Sequence, residues 1–381
     1  MEKSKKILIF TTAFRPMTGG SEIALEEICR RLNDHAFDII TPRYKKSFAK
    51  TENLANICIH RIGFGMKLDK YIFPLAGFFK GFLLTRTNDY AAIHAYQASY
   101  GAGAATFLKY FSSIKFILTL QEGKAMTEQN PVIRFFRKII IKKADIITAI
   151  SIYLKNFAEK INKKAEIIVV PNGVDYEKFS SALPIEKTSL DINNTAKLIL
   201  TVSRLVQKNG LATLFRAIKI VKTLTSDIKL VVVGSGPLES GLKNLALELD
   251  ISNNVLFMGE KNYSEIPRYL KTADLFVRSS RSEGLGNAFI EAMAAGLPII
   301  GTPVGGIPDF LKDGETGLFC EVDNPKNLAE KIMLLLNNGE LREKLIKNGL
   351  ELVREKYDWN NIIKKFREIY ETTNANYRNN E

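Results

Sequence analysis

The sequence predicts an α/β protein built from two Rossmann-like halves, each on a parallel sheet. Short apolar runs alternate with amphipathic stretches along all 381 residues, the pattern of strand–helix–strand units. A polar, irregular stretch over 173–196 follows Pro171-Asn172-Gly173 and separates two such series. Glycine-rich loops at Gly19-Gly20 and Gly284–Gly286 each run into a helical pattern, as they do where a parallel sheet meets a ligand. The first domain is therefore set at 1–180 and the second at 181–359.

Taken in chain order, the first-half strands fall at 6–12, 36–41, 56–60, 91–94, 115–120, 145–149 and 166–170. Those of the second half fall at 197–202, 228–234, 254–258, 274–277, 298–302 and 317–321. The first run, Ile7–Phe10, follows a basic lead but is too short for a signal peptide and reads as a buried strand. Helical periodicity occupies 20–33, 211–225, 238–249, 325–337 and 340–356. A short helix is expected at 287–295, with Asn287 as its cap and Gly296 and Pro298 as its stop. The last helix, about 360–373, follows Trp359 and leads into a polar tail expected to fray.

Composition narrows the class. A hydrophobic content of 46% can bury substantial cores, and three widely spaced cysteines support neither a disulfide framework nor a zinc cluster. A reducing, cytoplasmic location fits. The net charge is +13, and residues 1–180 carry 28 Lys and Arg against 16 Asp and Glu, whereas the remainder is nearly balanced. That asymmetry points the first half toward an anionic surface, either membrane or nucleic acid. The longest apolar stretch, Tyr71–Leu84, contains Pro74 and Lys80 and is shorter than the roughly 20 residues a spanning helix needs. It reads either as an interfacial segment flanked by Lys67, Lys70 and Arg86 or as a core helix with a solvated edge. A second basic cluster, from Arg134 to Lys143, is interleaved with Phe135 and Phe136 and reads equally as a solvated face.

The chemistry centres on two carboxylates eight residues apart, Glu283 and Glu291. Glu283 precedes the short helix, while Glu291 lies a turn inside it among Ile290, Ala292 and Met293, where a carboxylate needs a partner. The helix start favours an anion, and carboxylates accept paired hydroxyls, so the set suits an anionic ligand with several hydroxyls: a nucleotide sugar. A capping and ion-pair arrangement without a ligand is the alternative. Arg204 and Lys208 follow the strand at 197–202 and either neutralise a diphosphate or lie in a solvated loop. His94, at a predicted strand end, either lines a cleft or sits satisfied in the core. Gly234-Ser-Gly236 carries Glu239 where a dinucleotide fingerprint needs its third glycine, and no Walker loop occurs. Both absences count against NAD oxidoreductases and P-loop NTPases.

Several segments together resemble the family-4 retaining glycosyltransferases of the GT-B fold. They are Pro16–Glu22, Ala144–Ser151, Val170–Asp175, Ser203–Gly210, Gly234–Pro237, Glu283–Gly306 and Asp313–Leu318, and the likeness runs nearly end to end. The resemblance implies two domains facing across a cleft, with the final helix, about 360–381, crossing back to the first. It assigns Glu291 to the donor ribose, Glu283 to the transferred sugar, and Arg204 and Lys208 to the diphosphate. Backbone amides near Gly20 and near Gly286-Asn287 complete the donor cradle, and Gly19 and Gly234 are counted among the donor-binding residues. His94, Gln121, Glu122 and Asn172 fall on the acceptor and sugar side. The donor is a nucleotide-diphosphate sugar and the acceptor a glycan or lipid-linked saccharide in cell-envelope assembly. No metal, no separate cofactor and no nucleic acid are expected, and the protein is placed in the cytoplasm or peripherally at the inner face of the membrane. Gln121 stands where many relatives have a histidine, and Asn209 separates Lys208 from Gly210 where many have Lys directly before Gly. A nucleotide-sugar epimerase is the enzymatic alternative. A basic binding protein on a degenerate transferase fold is the non-enzymatic one.

Overall fold

The computed structural model describes residues 5–17, 19–123, 130–225 and 227–378. The basic lead, Thr18 of the first glycine loop and the end of the polar tail lie outside them. The chain forms two compact units, one of residues 1–172 with 360–381 and one of residues 173–359.

The first unit runs β1 (Lys5–Thr11), α1 (Gly20–Arg31), β2 (His35–Pro42), β3 (Thr51–Leu54), β4 (Ile57–Ile62), α2 (Asp69–Thr87), β5 (Ala92–Tyr96) and α3 (Tyr100–Tyr110). It continues with β6 (Phe116–Leu120), α4 (Pro131–Lys143), β7 (Ile146–Ala149), α5 (Ile152–Glu159) and β8 (Glu166–Val169). Its sheet is ordered β3-β4-β2-β1-β5-β6-β7-β8. All pairings are parallel except the β3–β4 hairpin, which turns through Ala55 at φ 44. Strand β3 was not expected from sequence, because Thr51-Glu52-Asn53-Leu54 alternates only between exposed and half-buried positions at the sheet edge and offers no apolar signal. The central strands β5 and β6 are buried at every residue, as a parallel sheet covered on both faces requires.

Helix α13 (Trp359–Arg378) begins at the end of the second unit and supplies the last element of the first. It runs five residues past the expected end of the helix, into the tail that was expected to fray. Its Tyr370 is fully buried, with its hydroxyl 2.7 Å from His94 Nδ1. His94 Nε2 lies 2.7 Å from Thr119 Oγ1, which in turn is 2.6 Å from Thr148 Oγ1. Of the two sequence readings of His94, the core one holds, and its assignment to the acceptor side is corrected. Both ring nitrogens are engaged, the residue is 0% exposed, and burial depresses its pKa from 6.5 to about 3.

The second unit contains α6 (Tyr176–Ser180), β9 (Lys197–Val202), α7 (Leu211–Leu224), β10 (Ile228–Val233), α8 (Glu239–Glu248), β11 (Val255–Gly259), α9 (Ile266–Thr272) and β12 (Leu275–Arg278). Then come α10 (Asn287–Ala294), β13 (Ile299–Gly301), β14 (Leu318–Phe319), α11 (Pro325–Asn337) and α12 (Gly339–Leu352). The order β11-β10-β9-β12-β13-β14, parallel throughout, is that of a Rossmann fold. Residues 173–180, placed in the first domain from sequence, belong to this unit. Val174 donates to Tyr357 O at 2.8 Å and accepts from the Trp359 amide at 3.1 Å, so two backbone bonds hold the segment there. The helical pattern expected over 340–356 ends at Leu352 and passes into a single π turn, Val353–Tyr357.

The depressed pKa of His94 has a signed consequence. Below pH 6.5 the unfolded chain takes up a proton that the folded chain refuses, so stability falls as pH drops toward 3. Between pH 6.5 and 5 the loss attributable to this residue is about 2 kcal/mol. His94→Gln should flatten that part of the pH dependence in denaturant titrations. An unchanged slope would contradict the assignment.

Candidate active site

In the second unit the strand order reverses between β9 and β12, and the chain segments leaving those strands, 203–210 and 279–287, lie side by side. Ligands of open parallel sheets bind beyond the carboxyl ends at such a reversal. The Arg281 amide donates to Lys208 O at 2.7 Å, and Ser279 Oγ donates to Gly210 O at 2.9 Å. Gly210 (φ +64) and Gly305 (φ +56) allow this closeness, since a Cβ would fall 1.8 Å from Ser279 O in one case and 1.8 Å from Glu283 O in the other.

Glu283 is 6% exposed and fully engaged at one oxygen. Its Oε1 accepts from Arg278 and, at 3.2 Å, from Ser280 Oγ, while Lys208 Nζ lies 3.7 Å from Oε2. Arg278 also donates to Asn209 Oδ1 at 3.1 Å, and Asn209 Nδ2 donates to Arg204 O at 2.6 Å. Asn209, which interrupts the expected Lys-Gly pair, thus ties the loop after β9 to the end of β12. Arg278 was not singled out from sequence. Its signal was available: a cation closing the apolar strand Leu275-Phe-Val-Arg278 requires a buried partner.

Glu291 keeps a little exposure but is surrounded by protein, and burial raises its carboxyl to about 7. A hydrogen bond from Tyr263 and the charges of Arg278 and Lys178 oppose that rise without cancelling it. Lys178 Nζ stands 5.3 Å from the Tyr263 ring centroid, so α6 and the loop before α9 both reach this carboxylate. The helix cap differs from expectation. Gly286, at φ +99, is the cap, and Asn287 is the first helical residue. The helix end is as expected: Leu297 N–H donates to Ala292 O and Gly296 N–H to Met293 O, both at 3.0 Å, closing a Schellman motif.

Arg204 is exposed and makes no ion pair among the described residues. Nearby, Ser203 Oγ and Arg278 Nε are buried without a hydrogen-bond partner in the protein. Gly234 does not offer a free amide, because its N–H donates to Gly259 O at 2.8 Å.

In the first unit Gln121 and Asn172 form a reciprocal amide pair at 3.0 and 3.2 Å. Glu122 accepts from the Ala98 amide at 2.5 Å and the Gln121 amide at 3.0 Å and pairs with Arg137 at 2.7 Å. It therefore holds the loops after β5 and β6 together rather than standing free for a sugar. At the Gly19-Gly20 loop, the Glu22 carboxylate folds back over the start of α1, accepts from Ser21 Oγ at 2.9 Å, and is raised in pKa by burial. The seat read as a phosphate cradle is occupied by the chain's own carboxylate.

Two Rossmann-like units, one with cations and carboxylates at its strand reversal, have the architecture of a GT-B glycosyltransferase. The chain belongs to the group 1 glycosyltransferases of family 4. Residues 18–178 match the model for "Glycosyltransferase Family 4" and residues 184–352 that for "Glycosyl transferases group 1". An uncharacterised glycosyltransferase of Methanocaldococcus jannaschii is 30% identical over 96% of this chain and 97% of its own length. The N-acetyl-alpha-D-glucosaminyl L-malate synthase of Bacillus anthracis is 27% identical, over 96% and 97%. Anabaena HepE, crystallised with UDP and glucose, has the same fold, with a TM-score of 0.81 at 17% identity, covering 97% of this chain and 100% of that one.

Removing Glu283 leaves the Arg278 guanidinium buried without its anion. Glu283→Ala should lower the unfolding free energy by about 3 kcal/mol, and adding Arg278→Met should recover most of that loss. Denaturant melts of the single and double variants check this; a double variant no more stable than Glu283→Ala would contradict it.

Proposed function

We propose that this chain is a retaining hexosyltransferase that moves a sugar from a nucleoside-diphosphate donor to a hydroxyl of a glycan or lipid-linked saccharide, without a metal, in cell-envelope assembly. The observation that carries the reading is the β9–β12 reversal. Arg204 without an ion pair among the described residues, a loosely held Lys208 and two buried donors without protein partners lie on β12 or the segment leaving β9, and Glu283 and Glu291 follow β12.

In this reading the diphosphate lies against Arg204, Lys208 and the positive end of α10. Glu291 accepts the ribose hydroxyls. Glu283 Oε2, occupied only by the 3.7 Å contact with Lys208, accepts hydroxyls of the transferred sugar. The Gln121–Asn172 amide pair serves the acceptor. The acceptor oxygen attacks the anomeric carbon on the face the diphosphate leaves. The new glycosidic C–O bond forms as the sugar–phosphate C–O bond breaks, and the acceptor proton passes to the departing diphosphate oxygen. Stabilising that leaving charge is the main catalytic contribution. No side chain is required as a general base, which agrees with the engagement of Glu283 by Arg278.

Thermal-shift titration with UDP-, GDP- and ADP-sugars should identify one donor class that raises the melting temperature. With that donor, Arg204→Ala should lower kcat/KM by about two orders of magnitude. Unaltered turnover would remove Arg204 from the site. The product should keep the donor's anomeric configuration by NMR, and chelator should leave the rate unchanged.

Glu291 adds a pH signature. An ionised carboxylate accepts ribose hydroxyls better than a neutral one, so donor affinity should rise as pH passes through about 7. The ligand-free protein should move the other way. The unfolded carboxyl ionises near 4.5 and the folded one near 7, so stability falls as pH rises between them. Glu291→Gln should abolish both trends, and persistence of the affinity trend in that variant would place its origin elsewhere.

A further inference from the structure

The helical layer of the first unit leaves a large apolar surface uncovered. Helix α2 is apolar on two opposite sides. Phe73, Gly77 and Gly81 are buried, with Gly77 set close to Ala104 and Gly81 close to Leu108, both on α3. The other side, Leu68, Ile72, Leu75, Phe79 and Leu83, follows helical spacing and is 43–64% exposed. A helix apolar all round is one that something covers. The surface continues onto α3, where Phe107 and Tyr110 are exposed and Phe78 of α2 lies 6.5 Å from the Phe107 ring. It extends to α4, whose Lys143 stands 4.0 Å over the Tyr110 ring and whose Val132, Phe135 and Phe136 are 56–62% exposed.

The charge on this surface has one sign. Lys67, Lys70, Lys80 and Arg86 accompany α2, and Arg134, Lys138 and Lys142 accompany α4. Across residues 64–87 and 131–143 the sole carboxylate is Asp69, which is buried and accepts from the Gly65 and Met66 amides at 2.8 and 3.1 Å. Between α4 and α5 opens a groove of about 780 Å³ lined by Arg134, Lys138, Lys142 and Lys160 together with Phe135 and Phe157.

We propose that this face docks on an anionic lipid bilayer, with the exposed aliphatic and aromatic side chains in the interface and lipid phosphates in the α4–α5 groove. A bilayer surface offers apolar depth and negative headgroups within the same few ångströms, which is the complement of this face. A second copy is the poorer partner, because joining two such faces sets lysines against lysines. None of the described helices is long and apolar enough to cross a membrane, so the contact lies in the plane of the interface. The inference stands independently of the transferase reading, since binding is measured without donor or acceptor.

The full chain should float with phosphatidylcholine vesicles containing about one-third phosphatidylglycerol at low salt, and far less with phosphatidylcholine alone or at high salt. Leu75→Ser/Phe79→Ser/Phe135→Ser and Lys67→Glu/Lys138→Glu/Lys142→Glu should each weaken partitioning at least about tenfold. Melting temperatures should hold, because every substituted side chain is exposed. Absence of flotation, or variants that float as well as the parent, would overturn the proposal. So would light scattering that shows a dimer dissolved by the apolar substitutions without any vesicle binding, because that result gives the face to a second copy.

Discussion

The buried ion pair of Arg278 with Glu283 is the constraint around which the second unit's site is organised. A guanidinium at the end of a buried strand is tolerable only with its charge paired. Meeting that demand draws in Asn209 from the loop after β9 and Glu283 and Ser280 from the loop after β12. Gly210 and Gly305 then follow, since the loops can close this far only where a Cβ is missing. Arg278 also lowers the cost of charge on Glu291, although burial still dominates there. One cation thus sets the position of the first carboxylate and favours the ionisation of the second, while Arg204 is exposed and has no ion pair among the described residues.

Much of this was legible in the sequence because it rests on local rules. The strand–helix alternation located every parallel strand to within a few residues, since buried strands of a parallel sheet are nearly continuous apolar runs. The stop of α10 was readable from Gly296 and Pro298 for the same kind of reason. Long-range pairing was not readable. His94 carries no mark in the sequence of the tyrosine 276 positions later that engages it. Nor does the sequence mark the partners of Glu22 and Glu122, which the fold shows to be Ser21 in one case and Arg137 with two backbone amides in the other. Gly234 gave no sign of its neighbour either: a Cβ there would fall 2.0 Å from Ser203 O. Strand β3, polar and at an edge, left no hydrophobic trace.

Buried polar groups are held in two ways. In the first, neutral groups form a chain, Tyr370–His94–Thr119–Thr148, that fills the sheet face without charge. Such a network stiffens a core because every member has a partner. In the second, charges meet at the strand ends and some donors remain unsatisfied by protein. Unsatisfied groups of that kind cost stability unless water or another partner meets them.

The position of α13 has a consequence for synthesis. The ring that closes over His94 belongs to residue 370 of 381. A ribosome releases the first unit's sheet long before it releases that helix, and domains ordinarily fold in the order in which they emerge. Here the first unit to emerge is the last to be completed. Its face around His94 stays uncovered while the whole of residues 173–359 is being made. The second unit is contiguous in sequence and has no such wait, so the nascent chain reaches its finished state from the middle outward.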